Sequence, residues 1–454
     1  MSEASEARDI VSRALERVRA AGADAADAVL VRGNALESRV RDREIDFVKQ
    51  SRNRTLGLRA LVRGAAGASS AMSSTSDLSA DAVVRMASET VALARATAED
   101  PHAGLPEGGY AEDTPDLGLF EHADRSVDIE ARIAEARRAE TAARSVDARI
   151  TNSEGSEVGS HFSHVVYGNT EGFLGDYESA AHSLFSEPIA SSNGAMQRDY
   201  WYTTGRRLAD LEDAEAVGRR AARRALRRLD GRRVPTCEAP VIFDALTAPS
   251  LVRHIAGCVN GYSVYRRTSF LAERKGEVVA SEGVSVIDDG RLPGGLGSKP
   301  FDGEGQPTRR NILVDRGRLT SWLLDSYSAR KLGEASTGSA ARSAGSAPSA
   351  APTNLWLEPG DRTLEEIIAD TPRGLLVTEL IGMGFDPVTG DYSRGAAGLW
   401  IENGEITHPV EEITVAGNLG EMLMSIDAIG SELVWLGAVA SPALRVSRMT
   451  IAGE

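Results

Sequence analysis

Side chains able to bind a metal or act as a nucleophile are few in this sequence, so their spacing is informative. The seven histidines are His102, His122, His161, His164, His182, His254 and His408. A helical zinc peptidase needs two histidines on one helix face, a further ligand, and a glutamate beside the first histidine as general base. None of the seven is followed by Glu, so the chain carries no His-Glu metalloprotease motif. His161 and His164 lie in a strand-like segment, where a spacing of three sends side chains to opposite faces and does not suit one metal. His254 and Cys258 are four apart on a predicted helix, on one face, with Cβ atoms roughly 5–6 Å apart. This pair is either a Cys–His nucleophile, two ligands of a metal site, or a small buried cysteine beside a hydrogen-bonded histidine. Nothing marks the thiol as activated, because Arg253 points about 100° away round the helix.

Two other stretches could bind anions. GRRAARRALRRL (218–229) repeats paired arginines at helical spacing. It suits a basic stripe for nucleic acid or an acidic peptide, or a solvated helix face whose arginine stems cover apolar surface. The Gly-rich RLPGGLGSKP (291–300) lacks the flanking strand and helix of a phosphate cradle, and no G-x-x-x-x-G-K-[ST] occurs.

Apolar residues at helical spacing predict helices over 5–22, 79–97, 127–146 and 210–229. Short, partly alternating runs punctuated by Gly and Asn predict strands over 27–72 and 148–203. Residues 98–118, rich in Pro, Gly, Asp and Glu, predict a long surface connection. PVIFD is a buried strand and ALTAPSLVRHIAGCVNG a helix. From about 276 onward, β-like runs (EVVASEGVSVID, NILVDRGRLTSWLL, GLLVTELIG, GLWIENGEITHPV, EITVAGN, LVWLGAVA, ALRVSRMTI) predict a barrel-like or sandwich-like antiparallel domain. The small, polar residues 333–354 predict a flexible loop or a mobile segment bordering a groove. The fold expected is α+β, with an N-terminal domain of helices and antiparallel sheet over 1–230 and a mainly β domain over 231–454.

The chain's 454 residues allow two to three domains at roughly 100–200 residues each. A net charge of −15 argues against nucleic acid as main partner, since phosphate binding needs Lys and Arg to displace counterions. Two cysteines make no disulfide framework, the N-terminus is polar, and no apolar stretch reaches about 18 residues. A cytoplasmic protein without membrane spans is expected.

Several long phrases in order make the chain resemble the TldD/PmbA family along its length. They are KGEVVASEGVSVIDDG (275–290), NILVDRGRLTSWLLDSYSARKLGEASTG (311–338), PTNLWLEPGDRTLEEII (352–368) and the run from GLLVTELIGMGFDPVTGDYSRGAAGLWIENGE onward (374–423). Upstream, TLGLRALVRGAAGASS (55–70) and NSEGSEVGSHFSHVVYGNTEGF (152–173) resemble the family's N-terminal portions. The family's zinc subunit, TldD, carries H-E-x-x-x-H on a helix and a cysteine near the C-terminus. Here the matching helix is LVRHIAGCVNG, with Arg253, His254 and Cys258 at the motif positions, and no cysteine follows Cys258. Arginine offers no lone pair to a metal. The chain therefore resembles the TldE (PmbA) branch, which lacks the zinc motif.

That resemblance implies a heterodimer with a TldD-type subunit, the zinc residing in the partner and no cofactor in this chain. It implies cleavage or trimming of unstructured peptides, with a homodimer as the form open to the chain alone. A link of the family to DNA gyrase modulation also comes with it. An extended peptide could add to a strand edge, with Thr337, Gly338, Thr353 and Asn354 as groove candidates. Two alternatives stay open: a self-contained hydrolase using His254 and Cys258, and a nucleic-acid-associated regulator using Arg223, Arg224, Arg227 and Arg228.

Overall fold

Alternating apolar and polar residues build long, paired strands in the first half. The computed structural model describes residues 3–453. Strands Ala25–Arg41 (β1), Glu44–Arg63 (β2), Ala68–Thr75 (β3), Ile150–Asn169 (β4), Leu174–Ser192 (β5), Ala195–Arg198 (β6) and Trp201–Gly205 (β7) form one antiparallel sheet. Its order is β3-β2-β1-β4-β5-β6, with β7 also on β5. The β1–β2 hairpin turns through Asp42 and Arg43, both left-handed at φ 52° and 67°. Such turns favour Asn-Gly. Here the Glu140 carboxylate accepts from both turn amides at 2.8 Å, which offsets the strain.

Four helices cover this sheet. Glu3–Ala20 (α1) and Ala80–Arg95 (α2) bury Val11, Val18, Val83 and Val91 against Leu30, Leu56 and Leu58. Ile129–Ser145 (α3) and Ala214–Leu226 (α4) bury Ile133, Ala139 and Val217 against Val158, Leu184 and Trp201. The two cross closely enough that a Cβ on Gly218 would meet the Ala139 carbonyl oxygen at 2.0 Å.

The second half opens with Cys237–Phe243 (β8), followed by the helices Pro249–Cys258 (α5) and Gly261–Tyr265 (α6). Strands Val286–Asp289 (β9), Arg310–Asp315 (β10) and Arg318–Leu319 (β11), helix Ser326–Leu332 (α7), and strands Ala340–Ala341 (β12), Ser349–Ala350 (β13) and Leu355–Leu357 (β14) come next. Helix Leu364–Ala369 (α8) precedes Arg373–Ile381 (β15), Asp391–Glu402 (β16) and Glu405–Asn418 (β17). Helix Leu419–Met424 (α9) and strands Ile426–Ile429 (β18), Val439–Ala440 (β19) and Leu444–Ala452 (β20) end the chain. β17 pairs with both β16 and β20, and β20 pairs with β8, so β8-β15-β16-β17-β20 closes on itself. A second sheet runs β11-β10-β9-β14-β19. The fold is α+β and the second half mainly antiparallel, with parallel pairs at β8–β15 and β14–β19.

Some local expectations change. Of EVVASEGVSVID only the end is a strand, and of LVWLGAVA only Val439–Ala440. Residues 333–354 are tied down: Ala340 pairs with Ala350, and Ala340 N–H donates to Asp302 at 3.1 Å. Small side chains are needed there because the loop presses on β2, where a Cβ on Gly57 would meet the Ala344 carbonyl oxygen at 1.9 Å. The connection 98–118 is irregular, yet it buries Leu105 and Leu117 and is stitched to the second half by Arg330 Nε donating to the His102 carbonyl at 2.8 Å.

The 333–354 loop delivers Arg342 to Asp27 on β1. Asp27 is fully buried and also takes Arg59 Nε at 2.9 Å. Burial alone would raise the Asp27 pKa; the Arg342 and Arg59 guanidiniums override it and hold the carboxyl below its usual range. Removing one partner of such a buried group strands the others. Asp27→Asn is expected to cost about 3–5 kcal/mol in urea unfolding; a loss below about 1 kcal/mol would show that this joint is not stabilising.

Candidate functional site

Helix α5 is placed by the strand before it. Asp244 follows β8 directly; its Oδ1 accepts from the amides of Leu246 and Thr247 at 3.0 Å, and Pro249 starts the helix. Leu251, Val252, Ile255 and Ala256 pack into the core of the second half. That anchoring decides which way the remaining side chains face.

Arg253, His254 and Cys258 do not converge on a point. Arg253 is exposed, whereas Cys258 is 0% exposed and part of the core. Burial pushes the Cys258 thiol up to about 12, with only a hydrogen bond involving Ser269 acting the other way. A thiol that far from ionising is neither a nucleophile nor a good ligand. His254 is half-buried and lies on Phe385, ring centroids 4.3 Å apart, with Tyr392 edge-on at 6.1 Å. Its Nε2 is buried without a hydrogen bond, unlike the hydrogen-bonded histidine of the sequence reading. Burial, and then the charges of Arg394 and Arg253, push its pKa down to about 4. These residues do not fit zinc: one is a cation, one faces a ring, and one is a protonated core thiol. Among the described residues no group of three or more His, Cys, Asp or Glu side chains is arranged to hold a metal ion.

The other candidates separate in the same way. Thr353 and Asn354 are buried and occupied: Thr353 donates to Asp288 Oδ1 at 3.0 Å, and Asn354 to the Asp289 carbonyl at 2.6 Å. Gly338 is buried against the Pro307 carbonyl, and half-buried Thr337 accepts from the Leu324 amide at 2.8 Å. All four therefore face or bond segments outside the loop: β9, Leu324 and Pro307. His164 Nε2 sits 3.0 Å from Asp176 on a partly buried face, while His161 is exposed near Glu37. The Gly-rich turn presents carbonyls, of Gly295 and Leu296, to Arg206 at 2.9 and 2.7 Å.

The arginines of α4 and its end are neither a free stripe nor a simple solvated face. Arg224 is buried between Asp199 (3.2 Å) and Asp244 (3.4 Å). Arg227 reaches Asp244 at 4.0 Å, Arg228 reaches Glu379 at 2.5 Å, and Arg220 lies over Trp201 at 3.7 Å. Arg223 stays exposed.

Between the halves, beside Arg253, is a cavity of about 470 Å³. Phe185, Asp199 and Tyr200 supply one wall, and Thr378, Leu380 and Arg394 another. Of its lining, sequence reasoning singled out Arg253 and Arg228 and missed Asp199, Thr378 and Arg394, which share no motif.

The description "PmbA/TldA metallopeptidase domain 1" matches residues 26–94, the central domain of the same family 123–229, and its C-terminal domain 236–453. The chain is 40% identical to a protein of Escherichia coli O157:H7 named metalloprotease PmbA, over 98% of this chain and 96% of that one. A solved structure from Bacteroides thetaiotaomicron, described as a candidate modulator of DNA gyrase, superposes with a TM-score of 0.91 at 26% identity, covering 100% of both chains. TldE from Thermococcus kodakarensis has the same fold, with a TM-score of 0.87 at 22% identity over 98% of this chain and 100% of that one.

The depressed His254 pKa has a signed consequence. From its ordinary 6.5 down to about 4, the unfolded chain holds a proton at this position that the folded chain does not. Stability from His254 is therefore complete above about 6.5 and falls as pH drops through that window. His254→Phe is expected to flatten the fall in urea stability between pH 7.5 and pH 5; identical slopes in the two proteins would refute it.

Proposed function

The chain belongs to the PmbA/TldA metallopeptidase family, and on that premise we propose that it is a non-catalytic subunit of the TldE/PmbA type. In this reading it assists a zinc-bearing TldD-type partner in cutting unstructured peptides and does not perform hydrolysis itself. The observation that carries the reading is the chemistry of α5. Where a zinc peptidase needs lone pairs, this chain has the Arg253 cation, a His254 ring packed at a tilt on Phe385, and a protonated thiol in the core. The name metalloprotease borne by its E. coli relative then describes what the pair does.

The self-contained hydrolase loses support from the same facts. Cys258 has no access to substrate, and a neutral His254 packed on Phe385, its Nε2 without a hydrogen bond, is placed to activate nothing. The nucleic-acid reading loses support because Arg224, Arg227 and Arg228 are engaged with Asp199, Asp244 and Glu379.

The test is cleavage of an unstructured peptide by this chain with added zinc, and by a 1:1 mixture with its TldD-type sister. Activity is expected only in the mixture, and Cys258→Ala in this chain is expected to leave that rate unchanged. Turnover by this chain alone, or its loss in the Cys258 variant, would end the reading.

A further inference from the structure

The cavity beside Arg253 carries more positive charge than its own carboxylates neutralise. Arg198 is matched to Glu187 at 2.8 Å and Arg228 to Glu379 at 2.5 Å. Among the described residues Arg253 and Arg394 form no ion pair, and both bear electrostatically on His254. Arg394 adjoins Tyr392 of its own strand, but its Nε is buried without a hydrogen bond.

The walls also hold polar atoms that the protein leaves unused. Thr378 is 4% exposed and its hydroxyl has no partner. Asp199, also 4% exposed, uses one oxygen for Arg224 and the Tyr200 amide and leaves Oδ2 without a donor. Buried polar groups are nearly always hydrogen-bonded. Two unsatisfied ones lining a single cavity, with two unmatched guanidiniums, mark the place of a ligand with both acceptor and donor atoms.

We propose that this cavity binds the C-terminal residue of a peptide, its carboxylate on Arg253, Arg394 and the Thr378 hydroxyl and its amide N–H on Asp199. A guanidinium matches a carboxylate in plane and spacing, and stays charged throughout the physiological range. Phe185, Leu246 and Leu380 give the side chain an apolar wall. The volume, about 470 Å³, suits one or two residues of a chain. Free phosphate fits less well, because Glu187, Asp199 and Glu379 repel a dianion more strongly than a singly charged carboxylate. The inference stands on the cavity alone and asks for no hydrolysis, so it survives or fails independently of the pairing with a zinc subunit.

The test is calorimetric binding to the full chain of an N-acetylated pentapeptide ending in leucine, as free acid and as C-terminal amide, with inorganic phosphate as competitor. The acid is expected to bind at least about tenfold more tightly than the amide, a difference one charge-assisted pair can supply. Arg253→Gln and Arg394→Gln are each expected to abolish that preference. Thr378→Val, which removes a hydroxyl with no partner inside the protein and keeps the shape, should weaken the acid while leaving thermal stability intact. Equal binding of acid and amide, binding of neither, preference unaltered by the arginine variants, or stoichiometric displacement by phosphate would each overturn the proposal.

Discussion

The guanidinium of Arg224 is the contact on which the site depends. It lies buried between Asp199 of the first half and Asp244 of the second, and its NH2 group also faces the Thr378 carbonyl at 3.4 Å. A buried cation without partners is untenable, so this one forces two carboxylates from distant parts of the chain into fixed positions. Asp244 in turn organises the turn that starts α5. The wall made by Asp199, the strand carrying Thr378 and the helix carrying Arg253 are thus set relative to one another by a single side chain. Arg227 and Arg228 reinforce it from the same helical face.

Much of this scaffold was legible in the sequence. The helices over 3–20, 80–95, 129–145 and 214–226 follow apolar spacing closely, and PVIFD followed by a helix set the position of α5. Tertiary partners were harder to see. An arginine-rich helix has the same sequence whether its guanidiniums meet water or carboxylates elsewhere in the chain, as Arg228 meets Glu379. Residues 333–354 illustrate a second limit. Gly, Ala and Ser are common in flexible segments, but they are also what remains when backbone must approach backbone, as Ala344 approaches Gly57. Thr353 and Asn354 look like loop surface residues by type, and are buried because Asp288 and the Asp289 carbonyl need partners. Composition carries no record of such a need.

The candidate site shows the same division. Periodicity correctly put His254 and Cys258 on a helix, yet equal spacing did not bring equal surroundings. Cys258 turns into the core with Ile255 and Val252, whereas His254 meets Phe385 at the hairpin between β15 and β16. The exposed Arg253 was weighed for its effect on the thiol and as a motif position unable to bind a metal. Its own surroundings, supplied by β5, β15 and β16, became visible only once the halves were brought together.

A site that keeps the fold of a peptidase family while changing the charges on one helix acquires a different physical character. A zinc site draws its activity from groups that lose protons, so its chemistry depends on pH and on the metal. Here the titratable members of α5 are both held neutral, His254 by burial and nearby arginines and Cys258 by burial, while Arg253 and Arg394 supply guanidinium groups beside them. Such an arrangement has no proton to exchange with a reacting bond, but it presents a constant positive field at a fixed place. Constancy of that kind is what the proposed peptide-carboxylate site requires. It also explains how neutral groups can be the more conspicuous residues by type while the arginines around them determine what the site can do.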